Sequence, residues 1–334
     1  MKKTVVITTI NKPNQNIKKF SILCKKNNSD LIIIGDKKTP KTFRLTYGSY
    51  YDLKSQKKTN STFSKICPIN SYARKNIGYL ISIKDNSDII IESDDDNYPK
   101  NNFFKNLKLK KEVNEINNLG WINIYKTFSK KTDEIWPRGL PLDKIKINPK
   151  LKFKKVIKKF YLQQGVCDGN PDVDAIYRLI NKKINIKFKD NLSISLGKSL
   201  SPINSQNTIW FKKIFPLMYL PVTCTMRATD IWRGLITSNI LLNDNLPILF
   251  FGTNMKQVRN IHNLINDLKQ EMPLYQDMSN AYDILKNLEL KKSSKFYLEN
   301  LFKSYSILID KNIFHKQELY YLKTWIKDIQ KLQN

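Results

Sequence analysis

Glu92-Ser93-Asp94-Asp95-Asp96 puts four carboxylates into five positions. They follow Ile89-Ile90-Ile91, three branched apolar residues that read as a buried strand, and lead into the turn-prone Asn97-Tyr98-Pro99. Carboxylates crowded this closely repel one another and destabilise a fold unless something positive sits among them. Acids are scarce in this chain, with 29 Asp+Glu against 58 Lys+Arg. Their concentration at one strand end predicts a site for a divalent cation. Oxygen-only ligands suit Mg²⁺ or Mn²⁺, shared with substrate phosphates. A solvated acidic turn is the plainer alternative.

Arginine is the second pointer. A chain that otherwise uses lysine has only seven: Arg44, Arg74, Arg138, Arg178, Arg227, Arg233 and Arg259. A planar guanidinium suits phosphate or carboxylate better than an ammonium does. Most of the seven fall in segments that also hold unusual acids, glycines or tryptophans. Structural ion pairs are the competing explanation.

These groups need elements to position them. Residues 4–10 and 30–36 read as buried strands, residues 16–27 as a helix between them, and residues 70–83 as a helix ahead of the acid-tipped strand 88–91. Strand–helix–strand alternation predicts an α/β protein with a mostly parallel sheet and covering helices. Ligands then bind beyond the carboxyl ends of the strands, where the first loop, Asp36 and the acidic cluster would lie. Neither GxGxxG nor GxxxxGK[ST] occurs. From residue 253 the texture changes. Val258, Ile261, Leu264, Ile265 and Leu268 keep helical spacing, as do two later stripes. The expected division is a domain over residues 1–252 and a helical C-terminal appendage over 253–334.

Composition excludes several classes. An apolar fraction of 41%, with 16 Tyr and 16 Phe, marks a folded protein. The net charge of +29 is lysine scattered along the whole length without a nucleic-acid motif, so no nucleic-acid partner is expected. Contact with anionic substrates or peripherally with an anionic membrane fits the basic surface. Cys24, Cys67, Cys167 and Cys224 lack zinc spacing and read as buried thiols. No run reaches a membrane-spanning length and the first residues do not read as a signal peptide. The expected location is cytoplasmic.

Five stretches together resemble the STELLO-type glycosyltransferases, relatives of the reversibly glycosylated polypeptides that act as UDP-arabinopyranose mutases. They are residues 5–11, residues 72–99, Trp136-Pro137-Arg138-Gly139-Leu140-Pro141-Leu142, residues 163–165 with 171–179, and residues 219–221 with 227–234. They cover roughly residues 4–240 in order, with the C-terminal helices outside them. A counterpart of the membrane-anchored N-terminus of the plant members is not expected here.

The resemblance implies a GT-A fold, a Rossmann-like sheet that binds a nucleotide sugar, with the acidic cluster as its DxD element. Bound Mn²⁺ or Mg²⁺ would neutralise the nucleoside diphosphate as it leaves. Asp94 and Asp96 have the DxD spacing, and so do Glu92 and Asp94. The favoured frame is Asp94 and Asp96 as metal ligands, with Asp95 as a further ligand or ribose contact. Thr9, Ile10 and Asn11 would meet uracil or ribose. Asp36 would accept from base or ribose, unless it is a turn acid. Arg74 would hold a phosphate, with a surface ion pair as its alternative.

Trp136 and Arg138 suit a sugar or diphosphate wall, though Trp136 could be core. Asp172 and Asp174 sit two apart beside a Pro/Gly-shaped turn, with Asp174 alternatively a helix cap. Asp230 and Arg233 share a helix face, a plain ion pair being the other reading. The family pattern makes Asp230 the base that takes the acceptor proton in an inverting reaction, with Arg227 and Arg233 bracing diphosphate or an acidic acceptor. Many GT-A enzymes add a late His to the metal. Here His262 and His315 both fall in the expected helical region, outside any motif.

The reading is therefore a metal-dependent glycosyltransferase that moves a sugar from a UDP-linked donor to a glycan or lipid-linked acceptor. A nucleotide-sugar mutase and a catalytically silent scaffold for polysaccharide synthesis are the alternatives.

Overall fold

Runs of branched apolar residues set the centre of the sheet. Val5-Val6-Ile7 in the strand Lys3–Thr9, Leu31-Ile32-Ile33-Ile34 in Asp30–Gly35, and Ile89-Ile90-Ile91 in Ile89–Asp94 are all buried. They do not alternate with polar residues because a parallel sheet is covered on both faces. Lys3–Thr9 pairs in parallel with the other two, and Ser49–Tyr51 adds a fourth parallel strand at the outer edge. This computed structural model describes every residue except Asn106, residues 131–133, Asn148, Lys182, Ile261 and Asn334.

Beyond Ile89–Asp94 the sheet becomes mixed. Asn207–Phe211 runs antiparallel to it. Leu162–Gly165, Leu249–Phe251, Ser193–Ser195, Lys110–Ile116 and Phe153–Lys159 follow in that order, completing ten strands. Parallel pairs still outnumber antiparallel ones. The helix Gln15–Lys26 starts at Asn14, whose side-chain oxygen accepts the Ile17 N–H at 3.0 Å. The helix Lys75–Lys84 lies across the first two strands. A Cβ on Gly78 would come within 2.5 Å of Val6, so only glycine lets this helix seat. The mostly parallel sheet flanked by helices is consistent with a GT-A-like α/β fold.

The C-terminal region departs from the sequence pattern at its start. Met255–Gln257 is a strand, paired with Asn97–Pro99 and with Asp168–Gly169 in a small second sheet. The helix begins only at Leu264, running Leu264–Lys286. Val258 therefore precedes the helix, and Ile261 lies outside the described residues. Two further helices, Tyr297–Asp310 and Glu318–Gln333, follow.

These helices are built into the main core. Leu274, Met278, Tyr305, Leu308, Trp325 and Ile329 are buried in one apolar cluster with Phe63, Leu217, Tyr219 and Ile231. The Asp328 carboxylate accepts the backbone N–H of Thr62 at 3.0 Å and of Phe63 at 2.8 Å, satisfying orphan donors at the start of the helix Thr62–Ile66. No described helix is long and apolar enough to cross a membrane.

Candidate active site

The carboxyl ends of Lys3–Thr9, Asp30–Gly35 and Ile89–Asp94 open into a cleft of about 760 Å³, where a parallel sheet presents its ligand site. Thr9, Ile10, Asn11, Asp36, Asp94, Asp95, Asp96, Arg138, Asp172, Arg227 and Asp230 all line it.

The acidic turn carries three carboxylates with three different surroundings. Asp94 ends its strand, and its Oδ1 accepts from Lys75 Nζ at 2.7 Å and from the Tyr72 hydroxyl at 2.7 Å. Burial raises the Asp94 carboxyl above its usual range, with the Lys75 ammonium opposing the rise. Asp95 faces the first loop. Its Oδ2 accepts from Thr9 Oγ1 at 2.5 Å and Asn11 Nδ2 at 2.9 Å, while its carbonyl accepts from the side-chain amides of Asn14 and Asn16. Asp96 accepts from Gln257 Nε2 at 2.9 Å through Oδ2. Burial, and then the Asp94 charge, push its carboxyl up to about 7.

Asp96 Oδ1 is buried with no hydrogen-bond partner among the described residues. An acceptor-only atom stranded in this way is a place where a cation would be satisfied. No three His, Cys, Asp or Glu side chains among the described residues form a ready-made ligand set. A hard ion at Asp94 and Asp96 would have to take its remaining ligands from phosphate and water.

A guanidinium clamp stands across the cleft. Arg138 donates to Asp172 through Nε and Nη2, both at 2.8 Å. The same group reaches Asp230 through Nη1 at 3.1 Å and Nη2 at 3.2 Å, and also meets the Arg227 carbonyl. Burial alone would raise the Asp172 carboxyl, but Arg138 outweighs it and holds Asp172 below the usual range. Asp230 Oδ2 also accepts from Ser205 N at 3.1 Å and Ser205 Oγ at 3.2 Å. The Ser205 hydroxyl is in turn hydrogen-bonded to Tyr72. A continuous polar chain therefore runs from Asp94 through Tyr72 and Ser205 to Asp230.

The remaining wall is basic. Arg227 donates from Nε to Glu271 Oε1 at 2.6 Å, and Arg259 Nη2 to Asp267 Oδ2 at 2.7 Å. Asp267 and Glu271 lie one turn apart on Leu264–Lys286 and hold both arginines at the cleft. Burial, and then the nearby Arg227 charge, lower the Arg259 guanidinium below its ordinary value. His262 also lines the cleft, with Nδ1 3.4 Å from Asp267 Oδ1. Sequence reasoning left out Lys75, Tyr72, Ser205, Gln257 and Arg259. It set His262 aside because residues 258–268 read as a helix. A lone arginine in a lysine-rich chain was the signal available for Arg259.

Five expected site residues do different work. Arg233 is buried away from the cleft and donates to Glu92 through Nη1 and Nη2, both at 2.8 Å. It therefore cannot brace a diphosphate, and Glu92, also bonded to Trp210 and Tyr79, is not free to be a metal ligand. The Glu92–Asp94 frame is thereby removed. Asp174 is outside the cleft lining and caps the helix Ala175–Ile180, accepting the Tyr177 N–H at 2.7 Å. Its other oxygen takes the Trp136 indole N–H at 2.7 Å, which makes Trp136 a core residue, not a sugar wall. Arg74 borders the cleft, but its two terminal nitrogens bond the Cys67 and Pro68 carbonyls and Gln56, and its Nε is buried without a partner among the described residues. Asp36 lines the cleft while accepting the N–H groups of Lys37, Asn70 and Ser71, as a turn acid does.

Known proteins are similar to this chain in sequence. Residues 227–334 match the family model described as STELLO glycosyltransferases. Probable glycosyltransferase STELLO2 of Arabidopsis thaliana is 28% identical over 253 residues, covering 70% of this chain. The chain is related to the STELLO glycosyltransferases. STELLO1 of the same plant matches at the same identity and extent. The match takes in 32% of each relative, so this chain spans about a third of their length. The STELLO match begins at Arg227 and includes the three C-terminal helices, which corrects the expectation that they lie outside the resemblance. It contains Arg227, Asp230, Arg259, Asp267 and Glu271, so one basic wall of the cleft is part of the STELLO region.

Proposed function

We propose that the cleft binds a nucleotide sugar, UDP-linked, and transfers the sugar to a glycan or lipid-linked acceptor. The observation that carries this reading is the meeting of acids and arginines in one cleft. Asp94 and Asp96, with an unpartnered carboxylate oxygen, line it together with Arg227 and Arg259, at the carboxyl edge of the parallel strands. A diphosphate bound there would meet both a cation held by the acids and the guanidinium groups.

Thr9, Ile10 and Asn11 border the part of the cleft next to the first two strands and are the proposed contacts for base and ribose. A divalent ion, Mn²⁺ or Mg²⁺, would be held by Asp94 and Asp96 and would offset the charge of the leaving diphosphate. In the transfer the acceptor hydroxyl oxygen bonds to the anomeric carbon as the bond from that carbon to the diphosphate oxygen breaks. The hydroxyl proton passes to Asp230. Among the described residues Asp230 Oδ1 accepts from Arg138 alone, which leaves it capacity for an acceptor hydroxyl. Arg138 and Asp172 keep that carboxylate in place. Arg227 and Arg259 take the departing nucleoside diphosphate.

The test is calorimetric titration of UDP into the protein with Mn²⁺, and again with EDTA, for wild type and Asp96→Ala. Metal-dependent binding that vanishes in a folded variant is expected. Failure of UDP to bind in either condition would reject the UDP reading. A panel of UDP-sugars with and without acceptor would then separate transfer from acceptor-free rearrangement.

A further inference from the structure

The last strand of the sheet, Phe153–Lys159, is a free edge on the side of the sheet remote from Ser49–Tyr51. Among the described residues it pairs only with Lys110–Ile116, in the antiparallel register Lys110↔Lys159, Glu112↔Ile157, Asn114↔Lys155. Cross-strand partners share a face, so the two faces of this ribbon can be compared. On one, Lys154 and Lys158 reach Glu115 at 3.4 and 2.8 Å, and Val113 and Val156 pack with Leu249. On the other, Lys155, Lys159 and Lys110 make no ion pair with a described residue. Ile157 stands 62% exposed and Phe153 47% exposed among them. Glu112 is the acid on that face.

Charge around this edge is one-sided. From Lys144 to Cys167 the chain has eight lysines and no acid. Lysines on an edge strand are explained by the need to block strand pairing between molecules. That need does not explain two large apolar side chains left in water beside them. A soluble polyanion would use the lysines and leave Ile157 and Phe153 idle. A bilayer uses both, since lysine ammonium groups meet anionic headgroups while apolar tips enter the interface.

We propose that this outer face, centred on Ile157, Phe153, Lys155 and Lys159, docks the protein on an anionic lipid surface. The proposal does not depend on what the cleft transfers. Docking here would hold the protein at a surface that carries lipid-linked anions.

The test is co-sedimentation of the full chain with phosphatidylcholine vesicles, with and without phosphatidylserine. Compared with wild type are Phe153→Ser with Ile157→Ser, Lys155→Gln with Lys159→Gln, and the equally charged control Lys25→Gln with Lys26→Gln. Binding to phosphatidylserine vesicles is expected, weakened about twentyfold by loss of the two edge lysines, weakened also by the serine pair, and unchanged in the control. All four positions are exposed, so the melting temperature should not move. Equal weakening in the control would overturn the proposal in favour of diffuse charge. Retention on heparin without vesicle binding would overturn it in favour of a soluble polyanion. Absence of binding to either vesicle would also reject it.

Discussion

Lys75 Nζ lies 2.7 Å from Asp94 Oδ1, with the lysine side chain wholly buried. A positive group does sit among the crowded acids, supplied by the helix that crosses beneath them. Lys75→Met would leave the Asp94 carboxylate, 28% exposed at the cleft, without its partner. Loss of one member of a fully buried pair costs about 3–5 kcal/mol, and the exposure of Asp94 should bring the cost below that. Urea unfolding should show that loss, and adding Asp94→Asn should restore part of it. An unchanged midpoint in Lys75→Met would mean that the pair contributes nothing to the fold.

Arg233 and Glu92 give a second buried pair, outside the cleft. Arg233→Met should destabilise by about 3–5 kcal/mol, and Glu92→Gln combined with it should be milder. Nucleotide affinity of the folded variant should remain within about twofold, because no atom of Arg233 lines the cleft. A large drop in affinity at full folding would return Arg233 to the site.

Asp174 gives a pH dependence with a definite sign. Burial raises its carboxyl to about 6, against about 4 in an unfolded chain. Between those values the folded state binds the proton more tightly, so stability falls as pH rises through the window and levels off above it. The loss is on the order of 2 to 3 kcal/mol. Unfolding free energies of wild type and Asp174→Asn, measured from pH 4 to pH 8, should diverge in this direction. Parallel curves would show that Asp174 is not held neutral in the fold.

Glu318 tests whether the last helix supports the cleft. Its carboxylate accepts the N–H of Val222 at 2.9 Å and of Thr223 at 2.7 Å, and the Thr223 hydroxyl at 2.6 Å. This loop runs directly into Met226 and Arg227, which line the cleft. Glu318→Ala should speed amide exchange at Val222 and Thr223, cost about 2 kcal/mol for stranded donors and weaken UDP binding. Unaltered exchange would sever the link between helix and cleft.

The parallel half of the sheet was legible because its strands are continuous branched apolar runs, which a strand buried on both faces requires. Spacing could not choose between Glu92–Asp94 and Asp94–Asp96, since both have one residue between. Burial decides it, through a partner 141 positions away in the chain. The same holds for Asp230 and Arg233. Their helical spacing suggested an ion pair, yet each pairs across the fold, Asp230 with Arg138 and Arg233 with Glu92. Asp172 and Asp174 illustrate the limit of local pattern. Two acids at the same turn differ in role because one meets a guanidinium and the other a helix N-terminus.

Asp267 and Glu271 sit on one turn of the same helix and grip two arginines of the cleft. Adding or deleting a single residue between them would swing one acid by about 100° around the helix axis and release its arginine. Length variation should therefore be forbidden within that turn. The spacing of two acids far from the acidic triplet is in this sense a ruler for the site.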